Sequence, residues 1–397
     1  MKKLRILVDA RVGVGLGGGV ETLVRGLAKG YAGMVNDKFE VVFLVNYGGS
    51  KLIQDQDPSG ALQVVEVSAA ERDGYSFGKL RSLLRLFKFY LGLPIPYKFV
   101  MQRDKVSEQL NPNLIHYTYQ ATFHTQIPFV YHPHDLQHKY FPGNFSLLAR
   151  IFRDANYSLM CQQSSAIAVS SKWVKDDLVR FYSIQADKIR VIHLAPLTQD
   201  SIKVFSFPIR DESIEEKDEP NFLLYPAVNW PHKNHLNLFL AVKECNKAGV
   251  NIRIVCSGRV LDRFRNPNDL AFSLGIGNQI ITLGHVGREL LDFLYDNARA
   301  VVIPTKFEAA SFPIYEAQSK GKAVACSSVT SLPEQVGDSA LLFDPDNVNQ
   351  IAMALQDLWL RDDLVRRLEI LSKRNLANLA WDLTCKDFLS LYEEVLK

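Results

Sequence analysis

Short apolar runs alternate with stretches of helical periodicity along almost the whole of this 397-residue chain. Such alternation is typical of parallel strands joined by helices. We predict strands at Arg5–Asp9, Glu40–Val45, Gln63–Val67, Leu114–Tyr117, Phe129–His132, Ala166–Val169, Ile189–Ile192, Phe222–Tyr225, Ile252–Cys256, Ile280–Leu283, Ala300–Ile303, Ala323–Cys326 and Ala340–Phe343. Because a chain of this length exceeds one ordinary hydrophobic core, the pattern predicts an α/β protein with two doubly wound, Rossmann-like domains.

A polar, charged segment that is poor in apolar residues, Ser206–Pro220, separates the two sets of strands. Such composition is typical of a linker or an adjoining loop. We therefore predict an N-terminal domain over residues 1–200, a linker or loop region over 201–220, and a C-terminal domain over 221–380. A terminal helix over 381–397 is expected to pack back toward the N-terminal domain. The two sheets should turn the C-terminal ends of their strands toward a cleft between the domains.

Composition favours a soluble globular protein, with 47% hydrophobic and 22% charged residues. No run approaches the roughly 20 apolar residues that span a bilayer, and the short apolar N-terminus predicts a first strand rather than a signal peptide. The five cysteines are scattered without metal-ligand spacing, which favours a reduced cytoplasmic setting. Residues 1–197 carry 24 Lys and Arg against 16 Asp and Glu, whereas residues 198–397 carry 22 against 27. This asymmetry predicts different partners for the two halves.

Two carboxylates eight residues apart, Glu308 and Glu316, flank a predicted helix start. They follow the run Ala300–Ile303, and Ser311 suits a helix N-cap and Pro313 a first turn. Open α/β sheets bind ligands at the carboxyl ends of their strands, and a helix N-terminus favours phosphate. The pattern therefore suits a sugar nucleotide, with one acid for the ribose hydroxyls and one for those of the sugar. Two unrelated surface acids are the alternative.

A glycine-rich loop, Gly13-Val-Gly-Leu-Gly17-Gly18-Gly19, follows the first predicted strand and opens a helix. Glycines there let backbone amides approach a diphosphate closely. The loop has neither the spacing of a dinucleotide fingerprint nor that of a Walker loop. A flexible turn without a ligand is therefore the alternative.

Three histidines, His132, His134 and His138, lie within seven residues after another predicted strand. Their spacing matches no zinc pattern, so we expect no metal. A histidine at the end of a strand that faces a cleft suits a hydrogen-bond donor to substrate, and we assign this role to His134. A structural histidine that caps a loop is the alternative for His134, and is favoured for the other two.

Lys233 follows the first predicted strand of the second half and precedes a helix. An ammonium group at this place can act as a point charge on a phosphate. A solvated surface lysine is the alternative.

Together these features resemble the large family-four group of retaining glycosyltransferases with the GT-B fold. They are the glycine-rich loop, His134-Asp135, Lys233, the pair Glu308 and Glu316, and the block Ser331–Pro345. The resemblance covers nearly the whole chain, and the stretch Glu308–Pro345 is its most specific part. The run Pro226–His235 is similar to a subgroup that includes bacterial O-antigen and polysaccharide mannosyltransferases.

The resemblance implies a role for each matching residue. Glu316 matches the acid that holds the nucleotide ribose, and Glu308 matches the acid that faces the transferred sugar. Lys233 matches the diphosphate-binding lysine, and His134 the histidine that contacts the donor sugar near the reaction centre. The implied catalytic residues are thus His134, Lys233 and Glu308. The implied nucleotide-sugar-binding set further comprises Gly17, Gly18, Gly19, Ala310, Ser311 and Phe312.

Three positions depart from the family pattern. The family's arginine, five or six residues before the lysine, is replaced by Ala227 and Val228. We predict that Arg259 supplies the missing cation, and a plain surface arginine is the alternative. Ala309-Ala310-Ser311 stands where the family has Gly-Phe-Gly, which narrows the room for backbone contact with the sugar, and the residue before the lysine is His232 rather than an acid.

The implied activity is that of a metal-independent, retaining hexosyltransferase without a cofactor. It would move a mannose- or glucose-type hexose from a GDP-sugar or UDP-sugar to a saccharide or lipid-linked saccharide in bacterial surface polysaccharide synthesis. Lys233, backbone amides and the helix N-terminus would stabilise the leaving diphosphate. Front-face attack makes Glu308 a positioning residue, and a double displacement through the two carboxylates is the alternative.

Residues 79–103 are basic and contain no acid. The basic residues are Lys79, Arg81, Arg85, Lys88, Lys98 and Arg103, and Leu80, Leu83, Leu84, Phe87 and Leu91 lie at roughly helical spacing beside them. A basic amphipathic helix suits an anionic membrane or a polyprenyl-linked glycan acceptor. We therefore expect a cytoplasmic protein with peripheral contact to the inner face of the cell membrane. The alternative is a surface helix that packs its Leu and Phe side chains inward.

Two other functions are compatible with the same fold. A sugar-nucleotide epimerase would need further acid and base carboxylates in the cleft, and a catalytically weak nucleotide-sugar-binding subunit would fit the departures from the family pattern. Nucleic-acid binding is not expected, because the basic excess comes without a recognition motif.

Overall fold

The computed structural model describes residues 3–12, 18–34, 38–68, 78–120, 123–197 and 221–397. For residues 78 and 79 it describes the backbone alone. The chain divides into two compact units. Unit 1 is Met1–Leu197 with Leu379–Lys397, and unit 2 is Thr198–Asn378. The predicted linker over 201–220 and the predicted site residue Gly17 lie outside the described residues.

The strands are, in chain order, β1 (Leu4–Asp9), β2 (Phe39–Asn46), β3 (Gln63–Val67), β4 (Gln102–Arg103), β5 (Leu114–Tyr117), β6 (Phe123–His124), β7 (Phe129–Tyr131), β8 (Ala166–Val169), β9 (Ile189–Val191), β10 (Leu223–Pro226), β11 (Ile254–Ser257), β12 (Ile280–Thr282), β13 (Ala300–Ile303), β14 (Ala323–Ser327) and β15 (Ala340–Phe343). Each predicted run overlaps one of these strands. Only the two-residue strands β4 and β6 were not predicted, because segments so short carry no periodic pattern.

The helices are α1 (Gly19–Ala32), α2 (Lys51–Gln54), α3 (Gly78–Leu91), α4 (Tyr97–Val100), α5 (Lys105–Gln109), α6 (Gln137–Tyr140), α7 (Leu147–Gln163), α8 (Lys172–Tyr182), α9 (His235–Lys247), α10 (Pro267–Ser273), α11 (Arg288–Asn297), α12 (Phe312–Ser319), α13 (Leu332–Val336), α14 (Val348–Leu360), α15 (Asp362–Asn375) and α16 (Trp381–Leu396). Among the described residues, 3₁₀ turns lie at Pro142–Asn144, Ala186–Lys188 and Pro231–Lys233.

Each unit is built on a parallel sheet whose strand order reverses once. Unit 1 has the order β3-β2-β1-β5-β7-β8-β9, and unit 2 has the order β12-β11-β10-β13-β14-β15. The reversal lies between β1 and β5 in the first sheet and between β10 and β13 in the second. Ligands bind outside the carboxyl ends of the strands at such a switch point. The predicted α/β class with two Rossmann-like halves is confirmed.

The central strands of unit 2 are apolar because helices cover both faces of a parallel sheet. All four residues of β13, Ala-Val-Val-Ile, are buried, and so are all five of β14. This places the candidate binding groups of unit 2 in the loops at the carboxyl edge of its sheet.

The terminal helix α16 packs against α1 within unit 1. Two glycines of α1 make this close approach feasible. A Cβ atom on Gly26 would lie 2.0 Å from the Trp381 ring, and one on Gly30 would lie 2.4 Å from the Cys385 Sγ. The Tyr31 and Tyr392 hydroxyls are hydrogen-bonded at 2.9 Å across the same contact. The end of the chain is thus part of the core that supports α1.

Unit 1 also buries a pair of neighbouring imidazole rings. His116 of β5 and His132, directly after β7, are 0% and 1% exposed, and their rings lie nearly parallel with centroids 6.2 Å apart. His116 Nδ1 lies 2.8 Å from the Tyr392 hydroxyl. Neither ring nitrogen of His132 has a hydrogen-bond partner in the part of the chain that the structure describes. Burial lowers the pKa of His116 to about 3 and the pKa of His132 well below its usual value, so both rings are neutral near pH 7.

Replacing Gly26 with Ala should destabilise unit 1. The added methyl group would overlap the Trp381 ring, and overpacking of this kind costs about 1–3 kcal/mol. Gly33, at the end of the same helix, is the matched control, because a Cβ there meets no atom within 4 Å and its φ is −84°. Chemical unfolding of the two variants measures the difference, and equal stability of both would contradict the packing described above.

Replacing His132 with Phe should make folding less sensitive to acid. A histidine whose pKa is lowered in the folded state stabilises the protein above the pKa of the unfolded chain, about 6.5, and this stabilisation is lost as the pH falls. Through His132, the free energy of unfolding of the wild type should fall by about 1.4 kcal/mol for each pH unit below that value. Phenylalanine does not bind protons, so the variant should not show this loss. Urea unfolding at pH 7.5 and 5.0 tests this. The exposed His193, changed to Phe, is the control; a parallel fall in stability for the His132 variant and the wild type would refute the expectation.

Candidate functional site

The loops that follow β10 and β13 meet at the switch point of unit 2. Lys233 ends the 3₁₀ turn after β10, and Glu308 lies on the loop after β13. Their side chains, both largely buried, form an ion pair between Nζ and Oε1. The structure thus brings together the two predicted catalytic residues of unit 2. Without a bound anion, the carboxylate neutralises the ammonium group.

Asn234 holds the backbone next to Lys233. It has a left-handed conformation with φ 66°, which asparagine tolerates better than most residues. Its Nδ2 donates to the carbonyl oxygens of Pro304 at 2.9 Å and Pro345 at 2.8 Å, after β13 and β15. The Tyr225 hydroxyl donates to the Lys233 carbonyl. Sequence reasoning missed Asn234, because its partners are distant in the chain.

The backbone of Glu308 is held from the loop after β14. The Thr330 and Ser331 hydroxyls donate to the Glu308 carbonyl oxygen at 2.6 and 2.9 Å. On the other side of the loop, the Lys306 amide donates to the His232 carbonyl at 2.7 Å. The carboxylate therefore extends from a loop whose backbone is tied to the segments after two other strands.

Helix α12 begins directly after this loop. Ser311 occupies its N-cap position, but the hydroxyl makes no capping hydrogen bond, contrary to the expected capping role. Gln335 instead holds the Ser311 backbone, with contacts of 2.8 Å to its amide and its carbonyl oxygen. Ser311 Oγ is buried and has no partner among the described residues. Of the two neighbours predicted to bind the donor, Phe312 is buried and Ala310 is partly exposed.

Glu316 lies one turn further along α12, and both of its carboxylate oxygens have a partner. Arg288 Nη1 lies 2.5 Å from Oε1, and the Tyr295 hydroxyl lies 2.9 Å from Oε2. Both partners come from α11, which sequence reasoning did not connect with the site. No local motif could have shown it, since the contact depends on how α11 packs beside α12.

Arg259 follows β11, next to the strand that carries the Lys233 loop. Residues Pro226 and Ser257 pair in register, and a Cβ on Gly258 would lie 2.4 Å from the Ala227 carbonyl oxygen. Gly258 has φ 136°, a conformation that favours glycine. The exposed Arg259 therefore extends from backbone that touches Ala227, one of the two positions at which the resemblance would lead us to expect an arginine. Its predicted role as the substitute cation stays a prediction.

His134 and the glycine-rich loop belong to unit 1. His134, with φ 68°, places Nε2 2.6 Å from the Thr118 carbonyl oxygen after β5 and stacks on His132 at 4.5 Å. Burial lowers the pKa of His134 and outweighs the opposing effect of that hydrogen bond. Because a carbonyl oxygen can only accept, the neutral ring carries its proton on Nε2 and exposes an acceptor at Nδ1. In this state the ring offers an acceptor at Nδ1, and the predicted contact of His134 with substrate stays a prediction.

Gly18, with φ 102°, precedes α1, and no side chain caps that helix. Gly19 is its first residue. These two glycines open the helix at the carboxyl edge of β1, where backbone amides are left for a ligand or for water. Their predicted contact with a diphosphate stays a prediction.

The described residues contain no group of three or more His, Cys, Asp and Glu side chains arranged to hold a metal ion. Within the same residues, none of the helices has both the length and the apolar character needed to cross a bilayer.

Two family models match the chain. The model described as Glycosyltransferase Family 4 matches residues 17–195, and the model described as Glycosyl transferases group 1 matches residues 207–374. The two matches do not overlap and together cover most of the chain.

Curated relatives include O-antigen mannosyltransferases. The chain is 25% identical to the O-antigen chain mannosyltransferase RfbU of Salmonella typhimurium, over 59% of this chain and 62% of that protein. It is 43% identical to the O-antigen chain mannosyltransferase B of Escherichia coli, over 28% of this chain and 29% of that protein. The chain thus spans less than two thirds of the length of either relative.

The fold agrees with that of a solved structure over nearly the full length. The complex of Anabaena HepE with UDP-glucose has a TM-score of 0.68 at 16% identity, covering 98% of this chain and 100% of that one. The predicted family is confirmed by the matching models, the relatives and the fold. This chain belongs to the group 1 glycosyltransferases of the GT-B fold and resembles O-antigen mannosyltransferases.

Proposed function

We infer that the protein transfers a hexose from a nucleoside diphosphate sugar to a saccharide or lipid-linked saccharide during surface polysaccharide synthesis. The observation that carries this function is the Lys233–Glu308 pair at the switch point of unit 2, beside the N-terminus of α12. It is supported by the names of the mannosyltransferase relatives and by the UDP-glucose bound to HepE.

Unit 2 offers a set of groups for the donor's diphosphate. Lys233 supplies a positive charge, and the first turn of α12 supplies backbone amides without a side-chain cap. The unpartnered Ser311 hydroxyl lies at the same helix end. Because Lys233 is paired with Glu308 in the absence of an anion, diphosphate binding would share the ammonium between two negative groups. Glu308 would then be placed to accept hydrogen bonds from sugar hydroxyls.

Charge builds on the leaving diphosphate as the glycosidic bond breaks. Lys233 and the α12 amides would stabilise that charge without reorganisation, since the contacts of Asn234 and Thr330 already hold their loops. In this proposal the anomeric configuration is retained by front-face attack, no metal is needed, and Glu308 positions the sugar. Nuclear magnetic resonance of the product anomer tests the retention of configuration. Turnover in the presence of EDTA tests the independence from metal. The proposal also includes a contact of His134 with the donor sugar.

Changing Lys233 to Ala should reduce kcat/KM by about 100- to 1000-fold, because the main cation on the leaving group is lost. The donor is first identified by a thermal-shift panel of UDP, GDP, ADP and their sugars. Lys320→Ala is the matched control: Lys320 and Lys233 are 18% and 20% exposed, and Lys320 also pairs with an acid, Asp296. Unchanged turnover of the Lys233 variant, or release of an epimerised sugar nucleotide instead of a glycoside, would contradict the proposal.

The second part of the proposal is that unit 1 docks on an anionic lipid surface through α3. The apolar residues Leu80, Leu83, Phe87, Tyr90 and Leu91 recur at helical spacing and are 39–64% exposed. The alternative in which these side chains pack inward is therefore wrong for this stripe. Leu84, on the other side, is only partly exposed. An exposed apolar stripe on a helix suits the boundary between lipid headgroups and acyl chains.

The positive charge of the segment 79–103 favours an anionic lipid surface as the partner of this apolar stripe. Residues 79–103 have no acid, and Lys98 and Arg103 are exposed. Arg85 does not contribute as expected, because its guanidinium donates to the Val100 carbonyl oxygen at 3.1 Å and to Asn156 Oδ1 at 2.5 Å. Burial lowers the pKa of Arg85 to about 10. Arg103 also pairs with an acid outside the segment, since its Nε lies 2.5 Å from Glu108 Oε2. The other basic residues beside the apolar stripe, among them the exposed Lys98, complement the headgroups of anionic lipids.

Changing both Leu83 and Phe87 to Ser should lower binding to phosphatidylglycerol-containing vesicles by more than about tenfold, because two large apolar side chains no longer enter the interface. Vesicle sedimentation at low and high salt measures this. The matched control changes the exposed Leu360 and Ile370 of unit 2 to Ser. Equal loss in the control, no binding at either salt concentration, or concentration-dependent self-association through the stripe would contradict lipid docking.

A further inference from the structure

The carboxylate of Glu316 is held from two sides by a single helix. Arg288 begins α11 and Tyr295 lies two turns later, so both side chains reach α12 from one face. Arg288 Nη1 is 2.5 Å from Oε1, and the Tyr295 hydroxyl is 2.9 Å from Oε2. With one partner on each oxygen, the plane of the carboxylate is defined.

Arg288 is itself oriented by a second acid. Its Nη2 and Nε lie 2.8 and 3.1 Å from the two oxygens of Asp292, which is fully buried. This side-on contact leaves Nη1 for Glu316. Burial lowers the pKa of Arg288, but the carboxylates of Glu316 and Asp292 outweigh it and raise that pKa, so the guanidinium remains charged. A planar guanidinium clamped in this way is a rigid donor, which a flexible lysine would not be.

Glu316 retains acceptor capacity in this arrangement. An ionised carboxylate has about four lone-pair sites, and the two contacts from α11 use two of them. One site on each oxygen is left, which matches two adjacent hydroxyl groups that both donate. The ribose of a nucleotide presents such a pair at its 2′ and 3′ positions.

We propose that Arg288, assisted by Tyr295, is a positioning residue that orients the Glu316 carboxylate to select ribonucleotide over deoxyribonucleotide donors. This inference rests on the proposed function and on the role that the family resemblance implies for Glu316, which is to bind the donor's ribose. Arg288 acts only through Glu316 and does not touch the nucleotide. The competing explanation is that the contacts of Arg288 and Tyr295 with Glu316 only hold α11 against α12 and do not affect ligand binding.

The test measures the affinities of the full-length protein for UDP and GDP and for their 2′-deoxy forms by calorimetry. The wild type should bind the ribonucleotide about tenfold more tightly than its deoxy form, since one hydrogen bond to a charged group is lost. In Arg288→Met this ratio should fall toward one. Arg288→Lys keeps the positive charge but loses the planar guanidinium with its several donors. This variant should therefore keep only part of the wild-type ratio. Tyr295→Phe removes one contact with little change in volume and covers the case in which the arginine variant fails to fold.

Arg299→Met is the matched control, because Arg299 is another arginine of unit 2 that pairs with a carboxylate, that of Asp362, and it also contacts the Leu358 carbonyl oxygen. Its ratio should equal that of the wild type. A wild-type ratio that persists in Arg288→Met and Tyr295→Phe would overturn the inference and leave the proposed function standing. A wild type that binds none of the four nucleotides would overturn the proposed function and this inference with it.

Discussion

Parallel pairing of strands at the two switch points is the constraint on which the rest of this structure depends. Every strand of a parallel sheet delivers its following loop to the same edge, and the reversal of order makes two such loops diverge there. In unit 2 the loops after β10 and β13 carry Lys233 and Glu308 to this place. In unit 1 the loop after β5 presents the carbonyl oxygen that orients His134 after β7. Helices, caps and ion pairs refine these positions but do not create them.

Cations hold the acids of the unit 2 site in place. Glu308 pairs with Lys233, and Glu316 lies between Arg288 and Tyr295. A largely buried carboxylate without such a partner would cost several kcal/mol through lost hydration. The same contacts that remove this cost also fix the directions of the acceptor oxygens. Stability and preorganisation for a polyhydroxylated ligand therefore have one origin, and the departures from the family motif leave this framework intact.

The sequence patterns predicted the secondary-structure elements better than they predicted the contacts between side chains. Apolar runs separated by helical periodicity located the strands of both sheets, because burial on both faces requires apolar residues at every position. For Lys233 and Glu308, the sequence predicted only that both lie near the same edge of the sheet, and not that they form an ion pair. Arg288 and Asn234 were missed, since each acts on a partner brought near by packing rather than by sequence spacing. The predicted cap at Ser311 was wrong, since its hydroxyl accepts no hydrogen bond from the first turn of α12, while Gln335 holds its backbone amide and carbonyl oxygen.

The sequence by itself determined the α/β class, the family and the residue types at the carboxyl edge, because periodicity and short motifs are properties of neighbouring residues. Only the tertiary structure decided which groups meet and in which state. It buried His132 beside His134, left Nδ1 of the latter ring as an acceptor, and turned the apolar stripe of α3 outward. The physical reason is that hydrogen bonding, desolvation and exposure depend on atoms from distant segments, which local sequence does not specify.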